Sequence, residues 1–109
     1  MSINYKVLGQ SAPSATTPDT LYTVPSATET IVSTLFVCNR GATAGTFRIS
    51  VRPNGATQAD EHYIAYDISI DANATIPFTT GITIDAADVL TVYASTGDMS
   101  FSAFGSEIT

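Results

Sequence analysis

Residues 30–38, TIVSTLFVC, and residues 46–52, TFRISVR, are the two stretches on which the fold turns. In the first, Ile31, Val32, Leu35, Phe36 and Val37 leave little for water on either face, as in a strand at the centre of a sheet. In the second, Phe47, Ile49 and Val51 alternate with Thr46, Arg48, Ser50 and Arg52, so one face is apolar and the other polar. A repeat of two belongs to strands, not helices. The runs are similar in length, and a glycine-bounded link joins them from Asn39-Arg40-Gly41 to Gly45. That combination predicts an antiparallel hairpin.

Outward from this pair, short strands recur with turn residues every ~8–12 positions, a pattern typical of sandwiches and barrels. Residues 3–8 alternate Ile, Tyr and Val against Asn and Lys. Residues 9–18 form a Ser/Ala/Thr/Pro loop, 19–24 read as strand and 25–29 as a turn. Pro53-Asn54-Gly55 is a turn with a mechanism, because Pro presets φ while Asn and Gly accept positive φ. Residues 62–70 and 75–79 are the next strands. Thr80-Gly81 separates the second of these from 82–84. Residues 89–94 and 99–104 close the domain, joined by Ser95-Thr96-Gly97-Asp98. No stretch has apolar residues at helical spacing between caps, and 85–88 holds at most one 3₁₀ turn. The expected fold is all-β: a two-sheet antiparallel β-sandwich of jelly-roll type with eight or nine strands. With 109 residues the chain makes one domain. Residues 1–18 supply an N-terminal strand and an extended arm, and residues 19–109 the sandwich.

Charge is scarce. Only 13% of residues are charged, against a usual ~25%, whereas Ser and Thr together number 28. Short hydroxyls lose little entropy on immobilisation and cost little to desolvate, so such a surface suits contact with protein. The strand propensity of Thr accounts for some of the same enrichment. A net charge of −6 opposes binding to nucleic acid and to anionic lipid. No basic stretch followed by an apolar core opens the chain, and no window approaches the ~20 apolar residues of a membrane span. Cys38 is the single cysteine, which fits assembly in a reducing cytoplasm.

Little here points to catalysis. Cys38 and His62 are the only thiol and imidazole. Cys38 follows Val37 in the central run, where burial makes a thiol inert, so a core cysteine and a surface histidine are expected rather than a dyad. No Ser sits in a G-x-S-x-G elbow. Asp60-Glu61, Asp67 with Asp71, and Asp85 with Asp88 are acidic pairs without calcium-loop spacing, and read as solvated turns. No catalytic residue, cofactor or metal site is expected. A carbohydrate-binding module is the rival from another class, with Tyr22, Tyr63, Tyr66 and Tyr93 as its aromatic rings. Tyrosines in strands also serve as cross-strand packing pairs.

Charge placement suggests an interface. Arg40, Arg48 and Arg52 are three of the four basic residues, and eight of the ten acids lie from Asp60 onward. On a strand Arg48 and Arg52 share one face, with Arg40 in the adjoining loop. An Arg patch and a separate acidic surface favour heterologous, ring-closing contacts such as a homotrimer, or docking onto an acidic partner. An ordinary solvated strand face accounts for these residues equally well.

YKVLG (5–9), LYTVP (21–25), VSTLFVCNRG (32–41), FRISV (47–51), YIAYD (63–67) and FSAFGSEI (101–108) carry a resemblance. The chain resembles the small β-sandwich virion structural proteins of tailed phages, including those of cyanobacteria. The resemblance covers most of the domain and rests on strand and turn patterns rather than a chemical motif. It implies a capsid decoration or cement protein, or a tail, baseplate or fibre accessory. The implied protein is located in the virion and assembled in the host cytoplasm. Its partners would be copies of itself and a major capsid protein or tail component. No catalytic role is implied.

Overall fold

The computed structural model describes residues 1–79 and 81–109. Thr80, expected in the break between two strands, lies outside the described residues. Nine strands are present among those described. They are β1 (Ile3–Ser11), β2 (Asp19–Thr23), β3 (Glu29–Asn39), β4 (Gly45–Arg52), β5 (Tyr63–Ile70), β6 (Thr75–Phe78), β7 (Ile82–Ile84), β8 (Val89–Ala94) and β9 (Met99–Ile108). One sheet has the order β1-β9-β3-β6, with β7 also on β3, and the other β2-β8-β4-β5. Every ladder is antiparallel. The pairs are nested along the chain: β4 with β5, β3 with β6 and β7, β2 with β8, β1 with β9. Alternate pairs fall in opposite sheets, which is the rolled ribbon of a jelly roll.

The expected hairpin between residues 30–38 and 46–52 does not form. β3 pairs with β9, β6 and β7, and β4 with β5 and β8, so the two runs lie in opposite sheets. The link between them crosses from one sheet to the other, organised by the side chain of Asn39, which is 1% exposed. Its amide donates to the carbonyls of Thr43 (2.9 Å), Asp71 (3.2 Å) and Ile70 (3.4 Å), and its Oδ1 accepts from Gly41 N–H (2.9 Å). Crossing over lets both apolar faces meet across the core: Val32, Leu35 and Val37 on one side, Phe47 and Ile49 on the other. Phe47 packs edge-on to Phe78 (5.7 Å) and Phe101 (6.2 Å). Each fully buried ring contributes about 1.5–3 kcal/mol.

β3 is interior to its sheet, as its sequence predicts, but only one of its faces is buried. Ile31 and Phe36 point outward, 38% and 37% exposed. Cys38, expected in the core, is half-buried on the same outward face opposite Ser100 and Thr75. The reason is pleat: Val37 and Asn39 take the inward positions, so their neighbour turns out. β1 continues through Gly9 to Ser11, past the end its alternation suggests, because β9 extends beside it. The Pro53–Gly55 turn has Asn54 and Gly55 at φ 54° and 68°, as that sequence predicts.

Candidate functional site

The two outer faces differ in chemistry. On the five-stranded sheet, the cross-strand rows Tyr5–Ser106–Ile31–Thr83, Val7–Phe104–Thr34 and Ser102–Phe36–Pro77 contain no charged residue. Ile3, Tyr5 and Val7 are 47%, 84% and 48% exposed there. Phe36 and Phe104 pack edge-on at 5.9 Å. β1 is the edge strand of this sheet, so its outer main-chain groups have no ladder partner. Sequence reading placed these rings in strands but could not show that so many share one outward face.

The four-stranded sheet carries the charged groups. Arg48 and Arg52 lie on its outer face, on the same side of β4 with Ser50 between them, and line one groove together. Arg48 is held on three sides: its guanidinium carbon lies 4.2 Å from the Tyr66 ring centre and 4.4 Å from that of Tyr93. Its Nε and Nη2 donate to the two oxygens of Asp67 at 2.7 and 3.4 Å. The hydrogen bond to Asp67 raises the Arg48 pKa above its already high ordinary value, so the group stays cationic at any working pH. Asp67 reaches it from a register shift in β5 with φ 50°. Arg52 instead donates to Thr91 Oγ1 (3.2 Å) and to the carbonyls of Ala56 (2.9 Å) and Gly55 (3.4 Å). Arg40 is apart from both. It sits where β3 ends, bonds the Gly97 carbonyl at 3.3 Å, and does not line the groove.

The tyrosines divide. Tyr22 is a core residue, 7% exposed, bonded to Thr30 (2.8 Å) and Glu107 (2.5 Å), and offers no ring to solvent. Tyr63 meets Tyr66 edge-on at 4.8 Å, and Tyr66 and Tyr93 each give one face to Arg48. His62 Nδ1 accepts the Ala59 N–H at 3.0 Å, closing the 3₁₀ turn that leads into β5. Cys38 lies on the other sheet. Asp88 caps backbone at Asn54 and Asp85 (both 2.8 Å), and Asp67 pairs with Arg48, so these carboxylates have structural partners. Among the described residues, no three of His, Cys, Asp and Glu gather as metal ligands would.

No protein-family model matches this chain, and no curated protein matches it.

Proposed function

We propose that this chain is a structural subunit of a tailed-phage particle that works by packing against copies of itself and against the capsid shell. The observation that supports this best is the ring-bearing outer face of the five-stranded sheet, whose three middle rows are uncharged, with Glu29 at the end of the row Ile3–Ile108–Glu29. Tyr5, Val7, Ile31, Phe36 and Phe104 lie together there among short Ser and Thr side chains, where a solvated sheet face usually carries charge. Two copies each of net charge −6 repel over most of their surface. They meet at least cost where charge is sparsest, so a second copy is the first occupant of this face. The free edge of β1 adds main-chain donors and acceptors for strand-to-strand contact. Arg48 is already neutralised by Asp67, which leaves Arg40 and Arg52 as the cations available to an acidic partner. The resemblance to phage virion proteins supplies the setting for capsid decoration, with a tail, baseplate or fibre accessory as the alternative position in the particle.

The test is mass in solution, by light scattering, together with location in purified particles. The wild type is expected as an oligomer of defined size, with Tyr5→Ser/Val7→Ser shifted towards monomer and depleted from particles while keeping its β-sheet spectrum. A wild type that is monomeric at every concentration and missing from particles overturns the reading.

A further inference from the structure

The groove on the opposite face has a construction that subunit packing does not require. Thr20 on β2, Thr91 on β8, Ser50 on β4 and Tyr63 on β5 stand directly opposite one another in the ladders. Four hydroxyl side chains therefore run in one row across all four strands. Ser50 and Thr91, at 2% and 7% exposed, form a recessed floor. Arg48 and Tyr93 face each other in the row on one side, and Arg52 stands on the other. Asp19 closes one end and Gln58 flanks the other, around a cavity of about 230 Å³.

Donors and acceptors are both on offer. Arg52 uses Nε and Nη1 on protein groups, and its Nη2 makes no hydrogen bond among the described residues. Arg48 Nη1 likewise makes no hydrogen bond among the described residues, after Nε and Nη2 bind Asp67. Asp19 takes the Ser11 hydroxyl on Oδ2 and keeps Oδ1 as an acceptor. A carboxylate or phosphate ligand has only acceptors, so it would meet Arg52 well and Asp19 badly. An apolar ligand would strip water from the guanidinium and hydroxyl groups with nothing in return. A sugar hydroxyl both donates and accepts, so it can use every one of these groups. The cavity is smaller than the ~300–1,000 Å³ of drug-sized pockets, which limits the ligand to about one ring.

We propose that this groove binds a single neutral sugar ring of a glycan, with the ring lying over the Ser50–Thr91 floor between Arg52 and Tyr93. Arg52 Nη2 donates to one ring hydroxyl and Asp19 Oδ1 accepts from another. One ring held by a few hydrogen bonds gives an affinity of the order of ~1 mM. Oligomerisation would raise it through multivalency. The site lies on the other sheet and shares only Arg52 with the subunit reading, so sugar binding and oligomerisation are tested separately.

The experiment is a titration of ¹⁵N-labelled wild-type protein, followed by amide shifts. The probes are glucose, galactose, mannose and N-acetylglucosamine at up to about 10 mM, ten times the expected dissociation constant, with acetate and phosphate as controls. At least one sugar is expected to give saturable shifts clustered at Ser50, Tyr63 and Thr91. Arg52→Ala is expected to weaken that binding about tenfold, as losing a charge-assisted hydrogen bond should. Gln58→Ala, on an exposed loop, keeps the test open if Arg52→Ala misfolds, and should weaken binding by a smaller factor. No sugar-induced shift overturns the proposal. So does a stronger response to acetate or phosphate at the same amides, or undiminished binding by a folded Arg52→Ala.

Discussion

The Tyr22 hydroxyl crosses from the four-stranded sheet to the five-stranded one and donates to Glu107 Oε2 at 2.5 Å. Both residues are buried, and Lys6 Nζ reaches the other Glu107 oxygen at 3.2 Å. The carboxylate thus has two donors, one of them buried, and the two sheets share a polar clamp beside the apolar core.

Removing the donor should be costly. Tyr22→Phe keeps the ring but leaves Glu107 Oε2 short of a partner, so unfolding free energy should fall by about 1–3 kcal/mol. Urea denaturation would measure this, with an unchanged far-ultraviolet spectrum showing that the sheets persist. An effect under about 0.5 kcal/mol would mean the clamp is open to water.

The same pair sets a pH dependence at both ends. The hydrogen bond from Tyr22, with help from Lys6, holds the Glu107 carboxyl below its ordinary value of 4.5. Its stabilisation is therefore complete above that value and is lost as pH falls through the depressed one. Burial and Glu107 push the Tyr22 hydroxyl from 10.0 to about 12, so its share holds below 10 and declines between 10 and 12. Melting temperatures of wild type and Glu107→Gln should differ most at neutral pH and converge in acid. A constant gap down to about pH 2 would contradict the assignment.

Asn39 should matter more than an ordinary surface amide. Asn39→Ala removes the bonds to Thr43, Ile70, Asp71 and Gly41 that hold the crossing between sheets. The expected loss is about 3 kcal/mol in chemical denaturation, because buried groups are left unpaired. Asn39→Asp should recover only the Gly41 contact and remain clearly destabilised.

Asp67 separates strain from charge. It pairs with Arg48 on the surface, a contact worth at most about 1 kcal/mol, and it holds φ 50°, which costs most L residues about 1–2 kcal/mol. Asp67→Gly should be near neutral, losing the pair but relieving the backbone. Asp67→Ala should be about 1 kcal/mol less stable than Asp67→Gly by thermal melting. Equal stability of the two would mean the backbone relaxes there.

Local pattern alone determined the strands. The alternation in TFRISVR, the apolar run TIVSTLFVC and the Pro53-Asn54-Gly55 turn carry their own geometry, since pleat and positive φ are properties of a few neighbouring residues. The shared face of Arg48 and Arg52 was legible for the same reason. Tertiary structure alone decided which strands pair. Chain neighbours β3 and β4 separate because Asn39 can tie the crossing and because their apolar faces gain more by meeting across the core than by lying side by side. It likewise decided that Arg48 spends its charge on Asp67, that Tyr22 is buried, and that Thr20, Thr91, Ser50 and Tyr63 line up. Those groups are distant in the chain, and only ladder register brings them level.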